Sequence, residues 1–523
     1  MSQSADEEVR DLKETTVHYA HQEDGWQEPE DVIIPHQGGA ISDGGNSIDG
    51  PYCIFPKWMK ISIVAMAASA SFLTTLSIFI YFPALNAIRK DLNITNELVN
   101  LTVTVYLIFQ GISPILWGSL SDQWGRRPVY ISTIAIFGGS CVGMALAPTY
   151  QVFLILRMLQ GFGGSSMSAI GAGIVGDITT PDERGSYVAI ISVGQTLGIA
   201  IGPGIGGIIA EKLSWRWIFW FLTIYGLAVL LVILFFQPET LRSLVGNGAQ
   251  KYANPTPTQW LRRRFQVKQG EKTVPSAGRE RYSRLPNVLQ PVLFLFHKDV
   301  AVSMACFGFY SGVYQALLTV TPSLLNEIYR LDELHIGLCF LAQGFGSALN
   351  SVIGGRVLDR DFRIMAERTS LPPEKTKRGN LSVDFPIHKA RLRTSWLYGA
   401  LLQIVVLTYG WCLYAHVNLA VLIVLLVICG FCIIGVFNVF QVLMVDLFPS
   451  KGASSTATNN LVRSTFGAVA TVLVEPAIKG IGVEWTFTAF ACILVASNVL
   501  LLVLVRFGPG WRMKRMQGQQ NPN

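Results

Sequence analysis

Two arginines of this 523-residue chain lie inside long apolar stretches. An arginine at the centre of a membrane helix costs about 2.5–3.5 kcal/mol on insertion scales, and none of the 34 acidic residues lies deep in such a stretch. A planar guanidinium binds a carboxylate through paired hydrogen bonds. Arg157 and Arg463 therefore predict an electropositive cavity suited to anions. The alternative is that both bond to helix carbonyls and to neighbouring Gln or Asn side chains.

Uncharged polar side chains also recur along the apolar stretches. We predict that seven of them line the same cavity: Gln110, Gln195, Tyr310, Tyr314, Gln343, Asn438 and Asn460. Hydrogen bonding between helices is the commoner role of such residues, and it stays open as the alternative. Tyr310 and Tyr314 stand one helical turn apart, which a packing stripe explains as well.

Other chemistry has little support in the sequence. Cys429 and Cys432 have the spacing of a redox or metal pair, but they lie in an apolar stretch. There is no Walker motif and no combination of nucleophile and base. We therefore expect no metal, no cofactor and no enzymatic activity. A proton carrier is not evident either, because the seven histidines lie in tails, loops or the ends of apolar stretches.

The composition indicates an integral membrane protein. Half of the residues are hydrophobic, 14% are charged and the mean hydropathy is +0.41, whereas about 25% of residues are charged in soluble domains. About 20 apolar residues cross a bilayer as a helix. We predict an all-α fold with twelve spans at 59–81, 98–118, 128–147, 150–176, 186–210, 215–236, 299–322, 334–355, 394–415, 417–445, 453–475 and 485–506.

The positions of the basic residues predict the orientation. With the N-terminus inside, the inner loops hold 25 Lys and Arg, and the outer loops hold 6. Cytoplasmic loops carry such an excess, so we expect both termini in the cytoplasm. The net charge of +7 is then an orientation signal and gives no reason to expect nucleic acid. Asn93, in the sequence Asn-Ile-Thr, falls in the first outer loop and is a candidate glycosylation site.

The chain divides into two similar halves. We predict a disordered acidic tail at 1–58, six-helix bundles at 59–236 and 299–506, a basic linker at 237–298 and a cytoplasmic tail at 507–523. Gly118 and Asp122 after the second span have counterparts in Gly355 and Asp359 after the eighth. Parallel six-helix repeats with a site near the midplane are a transporter architecture.

Several of these segments resemble motifs of one family. Residues 118–127 resemble motif A of the major facilitator superfamily, 156–161 resemble its motif B, and 198–207 resemble motif C of its antiporter branches. Four further segments are similar to the fungal twelve-span drug:H⁺ antiporter family, in its quinidine-resistance and citrate-exporter-like branch: 80–85, 238–242, 384–391 and 508–512. The resemblance implies the major facilitator fold and secondary active export by alternating access, coupled to protons.

The resemblance also implies roles for the motif residues. In motif A, it implies that Asp122, Arg126 and Asp177, with Arg127 beside them, form a gating network at the cytoplasmic surface. A solvated turn with basic anchors is the simpler interpretation. A rocking transporter needs a latch that breaks in each cycle, and surface ion pairs worth about 1 kcal/mol or less suit that.

The motif C residues form a run of small side chains. Gly198, Gly202 and Gly206 repeat every four residues and share one helix face, and Gly207 follows them. Pro203 removes a helix hydrogen bond and bends the helix near them. We interpret this face as a pliable, ion-tight seam, and dense helix packing alone is the alternative.

The sequence leaves three hypotheses about function. The first is a plasma-membrane exporter of organic anions or acidic secondary metabolites, working as a monomer in lipid and exchanging its small-molecule substrate for protons. The second is a broad multidrug and toxin:H⁺ antiporter, since the family's breadth favours it. The third, from another class, is a non-transporting membrane sensor of the same fold.

Overall fold

Apolar runs bounded by helix caps give the chain a helical structure. The computed structural model describes residues 53–179, 181–245, 256–257, 290–368, 385–448 and 452–520, and contains no strand in these ranges. Residues 1–52 of the predicted tail and most of the predicted linker lie outside them. The side chains of Thr95, Ser214 and Asn418 cap helices by accepting a backbone N–H of the first turn.

Helices cover all twelve predicted spans. In order, the spans are Lys57–Phe79, Asn96–Trp124, Arg126–Ala145, Tyr150–Gly164 with Ser166–Ile178, Pro181–Lys212, Trp215–Phe236, Lys298–Tyr329, Glu333–Arg368, Ser395–Tyr414, Leu419–Leu447, Gly452–Ile481 and Val483–Gln520. Among the described residues, eleven helices are long and apolar enough to cross a membrane. The remaining predicted span is the fourth, which consists of two helices of 15 and 13 residues. Short helices flank the spans at Leu85–Asp91, Arg242–Val245, Gln290–Leu293 and Ile387–Leu392.

The fourth span is interrupted at Ser165 in a glycine-rich segment. Side chains of neighbouring spans bind the carbonyls around the interruption. The Ser113 hydroxyl donates to the Phe162 carbonyl at 2.5 Å, and the Thr74 hydroxyl donates to the Gly164 carbonyl at 2.8 Å. Side-chain bonding to helix carbonyls is a recognised cause of such breaks. The search for apolar runs of about 20 residues does not detect the interruption, because the apolar run is continuous across it.

The twelfth span extends beyond its predicted end at residue 506. Its helix continues through the first part of the predicted tail to Gln520. Two contacts hold the extension against the last six spans: Arg515 pairs with Asp299 at 2.6 Å, and Arg512 donates to the Phe385 carbonyl at 3.0 Å. Beyond residue 506, polar contacts of this kind, and not an apolar run, hold the helix against the rest of the second half.

Two helix pairs join the first six spans to the last six. The second span packs along the eleventh, and the fifth packs along the eighth. Apolar side chains such as Ile155, Ile224, Val352, Ile404 and Leu473 remain exposed on the outer surfaces of the spans. A bilayer solvates that kind of surface, and no backbone polar group inside a helix needs water there.

The two halves contact each other at the end of the spans that the predicted orientation places outside. The Asn86 amide donates to the Pro322 carbonyl at 3.0 Å, and Asn96 donates to Glu475 at 2.9 Å. The rings of Phe82 and Phe340 stack nearby, with centroids 6.2 Å apart. The structure is therefore closed at this end. Asn93 lies in the exposed loop beside these contacts, and its glycosylation stays a prediction.

Candidate functional site

Arg157 of the fourth span is enclosed by two aromatic rings. Its guanidinium carbon lies 3.9 Å from the centroid of Tyr81 and 4.3 Å from that of Tyr106, and its side chain donates to Gln160. Only 1% of the residue is exposed. Cation–π contacts of this kind are worth about 2 kcal/mol or more when desolvated. The rings therefore offset part of the cost of burying the charge.

Arg463 of the eleventh span is half-buried and is a second charged neighbour of Tyr106. It donates to Asn460 at 3.3 Å, and its electrostatic neighbours are Tyr314 and Tyr106. Those of Arg157 are Tyr81, Tyr106 and Cys141. Within the described ranges, no carboxylate pairs with either arginine. The structure thus brings both positive charges into the electrostatic neighbourhood of Tyr106, and among the described residues neither pairs with a carboxylate.

The other predicted cavity residues do not all lie near the two arginines. Tyr314 lies beside Arg463 and faces Gln343 of the eighth span. Tyr310 points elsewhere, because its hydroxyl lies 3.1 Å from the Gln403 amide nitrogen that donates to it. Gln110 is buried in the second span, and three further residues are half-buried: Gln195, Asn438 and Asn460. Their role in a cavity stays a prediction.

The predicted motif A residues form a charge cluster at the inner end of the first half. Arg126 pairs with Asp177 at 2.9 Å and with Asp122 at 2.6 Å. The Asp122 side chain is 61% exposed, whereas that of Asp177 is 14% exposed. Arg127 donates to the Leu234 carbonyl at 2.6 Å. All four side chains meet groups of the first six spans, and their gating role stays a prediction.

Glu239 completes this cluster and was not identified by the sequence reasoning. Its carboxylate accepts the backbone N–H groups of Arg126 at 2.8 Å and Arg127 at 3.3 Å, where the third span begins. It also accepts those of Thr240 and Leu241. A buried carboxylate at a helix N-terminus satisfies orphan donors and meets the positive end of the helix dipole. The sequence indicated residues 238–242 only as a family motif, because no spacing pattern relates Glu239 to Arg126.

The second half contains a counterpart of this cluster. Arg391, between the eighth and ninth spans, pairs with Asp446 at the end of the tenth at 2.7 Å. Arg126 and Asp177 occupy the corresponding places in the first half. The sequence repeat matched Asp359 to Asp122 and did not identify Arg391 as the counterpart of Arg126. Both side chains of the Arg391–Asp446 pair are 6% exposed.

A buried histidine lies beside these charges, outside the spans. His388 is fully buried and packs against Gly508. A Cβ added to Gly508 would lie about 3 Å from the ring atoms of His388. Burial, followed by the positive charges of Arg512 and Arg515, lowers the pKa of His388 to about 4. The ring is therefore neutral at neutral pH.

The motif C glycines contact two different spans. A Cβ on Gly206 would lie 2.1 Å from the carbonyl oxygen of Ile80, which caps the C-terminal end of the first span, and one on Gly207 would lie 2.5 Å from the Glu333 carbonyl oxygen of the eighth. Gly198 and Gly202 share the first contact surface, against residues 72–80. The fifth span is thus packed between the first span of its own half and the eighth span of the other half. Small residues permit this close approach.

Together these features define a helical membrane transporter with repeated halves, and comparison with known proteins places it in a family. The family model of the Major Facilitator Superfamily matches residues 67–472. The chain belongs to the major facilitator superfamily, as the resemblance of its motifs implied, and it has that fold. It is a secondary transporter.

Relatives and solved structures agree with this placement. The chain is 36% identical over 480 residues to Citrate exporter 1 of Aspergillus niger, covering 90% of this chain and 91% of the relative. It is 31% identical over 482 residues to Quinidine resistance protein 1 of Saccharomyces cerevisiae, covering 88% and 85%. The crystal structure of the human organic anion transporter MFSD10 (TETRAN) has a TM-score of 0.55 at 17% identity, covering 86% of this chain and all of that one. The similarity to MFSD10 shows the fold alone.

Proposed function

We propose that this protein exports small organic anions across the plasma membrane by alternating access, in exchange for protons. The observation that carries the proposal is the pair Arg157 and Arg463, which are both electrostatic neighbours of Tyr106 and have no carboxylate partner among the described residues. A buried charge without a partner is costly, and a bound carboxylate would neutralise it. The citrate exporter among the relatives supports the same substrate class.

The two arginines have different roles in this proposal. Arg463 is half-buried and makes one hydrogen bond at 3.3 Å, so its guanidinium keeps donors for a carboxylate. Arg157 is enclosed by the rings of Tyr81 and Tyr106. It holds Tyr106 in place and adds positive potential without touching the substrate. Arg463 is therefore the substrate ligand, and Arg157 is a positioning residue.

The closed end of the structure fits one state of an alternating-access cycle. Contacts between the halves at Asn86, Asn96 and Phe82 close that end, while the described ion pairs of Arg126 and Arg391 stay within their own halves. Transition to the outward-open state breaks the first set. We assign Asp122, Arg126, Arg127 and Asp177 to a latch that joins the halves in that state.

The second candidate is broad drug export. The observation favouring it is the 31% identity to Quinidine resistance protein 1 over 88% of this chain. An embedded acidic residue would suit a cationic drug, and the sequence has none deep in a span. This absence is why we place organic anions first.

Uptake into inside-out vesicles tests the proposal, because export then appears as accumulation. Labelled citrate and labelled quinidine are compared with and without an acidic vesicle interior. We expect citrate uptake that the pH gradient stimulates, and a loss of most of that uptake in Arg463→Ala. Arg506→Ala, which removes an exposed arginine of the twelfth span, is the matched control and keeps wild-type uptake. Full citrate uptake by Arg463→Ala contradicts the anion site, and uptake of quinidine alone favours the second candidate.

A further inference from the structure

Five polar side chains link the two halves where the second and eleventh spans meet at the outer end. Lys479 of the eleventh span donates to the carboxylate of Glu97 in the second. The Asn96 amide donates to Glu475 at 2.9 Å, again across the halves. Arg89 supports Asn96 from the first half by donating to its amide oxygen at 3.0 Å. We call these five residues the outer clasp.

Lys479 has a second carboxylate within reach on its own helix. Glu475 lies one turn before it, and the Glu475 Oε1 atom stands 3.9 Å from the Lys479 Nζ atom. A glutamate four residues N-terminal to a lysine is the favourable order for an ion pair on a helix. Glu327 of the seventh span, in the same half, is a further electrostatic neighbour. Lys479 therefore keeps carboxylates beside it when the halves separate.

The ends of the two helices also favour these charges within each half. Lys479 lies in the last turn of the helix Gly452–Ile481, and Glu97 lies in the first turn of Asn96–Trp124. A helix has a partial positive charge at its N-terminus and a partial negative charge at its C-terminus. Each member of the ion pair is thus attracted by its own helix, whether or not the other member is near.

The carboxylates of the clasp differ in how much they need a partner. The side chains of Lys479 and Glu97 are 56% and 42% exposed, whereas that of Glu475 is 9% exposed. Exposed ion pairs contribute little to stability, because water solvates the separated charges. A buried carboxylate left without a partner is costly. Glu475 therefore needs a new partner when Asn96 moves away, and the ammonium group of Lys479 is the nearest one in its own half.

We propose that the outer clasp opens by an exchange of partners. In the closed state, Lys479 binds Glu97 across the halves, and Asn96 provides the partner of Glu475. As the outer end opens, Lys479 moves from Glu97 to Glu475, and Glu97 stays in solvent at the N-terminus of its own helix. The buried carboxylate keeps a partner in both states. The exchange rests on the alternating-access cycle of the proposed function and adds the residues that make its outer gate reversible.

Charge reversal distinguishes an exchange of partners from simple rupture of an ion pair. The double variant Glu97→Lys with Lys479→Glu restores opposite charges across the halves. It also places two carboxylates four residues apart on the eleventh span, at positions 475 and 479, where like charges repel. In the closed state each carboxylate still has a donor from the first half, and in the open state neither has. Opening is therefore disfavoured if it depends on the exchange, and is normal if the ion pair simply ruptures.

Labelling of a cysteine between the halves measures opening directly. Ser323 of the second half donates to Asn86 of the first at 3.3 Å, so the thiol of Ser323→Cys reacts with a maleimide when the halves part. The exposed Cys492 and the half-buried Cys53 and Cys412 are replaced by serine in every protein, which leaves only buried native cysteines. Labelling rates are measured on purified protein in detergent, without substrate.

The exchange predicts an order of labelling rates. Glu97→Gln should label about two- to fivefold faster than the protein with the native clasp, as for loss of an exposed ion pair. The double reversal should label about two- to fivefold slower, and addition of Glu475→Gln should remove the repulsion and the slowing. Arg216→Gln is the matched control, because it breaks an exposed ion pair with Asp91 inside the first half. Its rate should not change.

Three results overturn the exchange. The first is a double reversal that labels at the rate of the native clasp, and the second is one that stays slow after Glu475→Gln is added. The third is equal labelling of Glu97→Gln and the native clasp, which shows that the ion pair does not hold the outer end. Absence of labelling in every protein counts against the outer opening and the clasp together. Because no substrate is present, a failure of citrate uptake contradicts the proposed function without changing these results.

Discussion

The guanidinium carbon of Arg157 lies 3.9 Å from the ring centroid of Tyr81, closer than to any other described ring. Tyr81 lies in the turn that follows the first span and Arg157 belongs to the fourth, so the contact fixes that turn against the fourth span. It explains how a charge survives in this position without a carboxylate. The face of an aromatic ring attracts a cation through its quadrupole, most strongly where water is excluded.

This contact predicts an ordered response to substitution of Tyr81. Tyr81→Phe keeps the ring and loses the hydrogen bond with Thr102, so we expect a loss of about 1 kcal/mol. Tyr81→Leu also loses the cation–π contact, worth about 2 kcal/mol more. Melting temperatures in detergent measure the difference. In a protein that also carries Arg157→Met, the stability difference between Tyr81→Leu and Tyr81→Phe should be smaller, because no cation remains over the ring. If this difference is the same with and without Arg157, the cation–π account is contradicted.

Glu239→Gln tests the capping of the third span. The substitution keeps the shape of the side chain and removes the charge that accepts four backbone N–H groups. We expect the protein to lose about 1–3 kcal/mol of stability and to transport more slowly at equal amounts in the membrane. Glu367→Gln, at an exposed position, is the control. Equal melting temperatures for the two variants count against the cap.

The fifth-span seam predicts a sharp contrast between glycines. In Gly206→Ala the new methyl group meets the Ile80 carbonyl oxygen at 2.1 Å, so the first and fifth spans must separate. We expect most transport to be lost. Gly138→Ala adds the same methyl where nothing lies within 4 Å, and it should transport normally. Full transport by Gly206→Ala would show that the close approach is dispensable.

His388 predicts a stability change with pH. Its pKa in the folded protein is about 4, below the ordinary 6.5, so the unfolded chain takes up a proton first as the pH falls. Stability is therefore lost between pH 6.5 and 4, by up to about 3 kcal/mol, and no further below pH 4. Melting temperatures of wild type and His388→Gln over this range measure it. If the melting temperatures of both proteins fall equally with pH, groups other than His388 cause the change.

Sequence reasoning succeeded where a local pattern carries the information. The twelve apolar runs give the twelve spans, and the four-residue spacing of Gly198, Gly202 and Gly206 gives the close packing on the first span. It also placed Asp122, Arg126 and Asp177 at one surface, because each follows the inner end of a span. The motif resemblance, confirmed by the family match, supplied the fold.

Partners distant in sequence could not be predicted in this way. Glu239 lies 113 residues from Arg126, and no periodicity relates them. Tyr81 and Tyr106 were not assigned to Arg157, since the partners expected for the arginine were a bound anion or, alternatively, helix carbonyls and neighbouring Gln or Asn side chains. The contact with Gln160 agrees with that alternative. The break at Ser165 depends on Ser113 and Thr74 in other spans. Each of these features arises from packing between spans, whereas spacing reports on one helix at a time.

The central claim is that Arg463 binds the carboxylate of the substrate, and equilibrium binding of labelled citrate to the purified protein tests it most directly. Wild type is compared with an Arg463→Gln protein whose melting temperature shows that it is as stable as the wild type. Arg506→Gln is the exposed control. The account predicts that affinity falls about tenfold or more in Arg463→Gln, as for loss of a charged hydrogen bond worth about 1.5–3 kcal/mol, and stays unchanged in Arg506→Gln. Unchanged citrate affinity in a folded Arg463→Gln protein would contradict it.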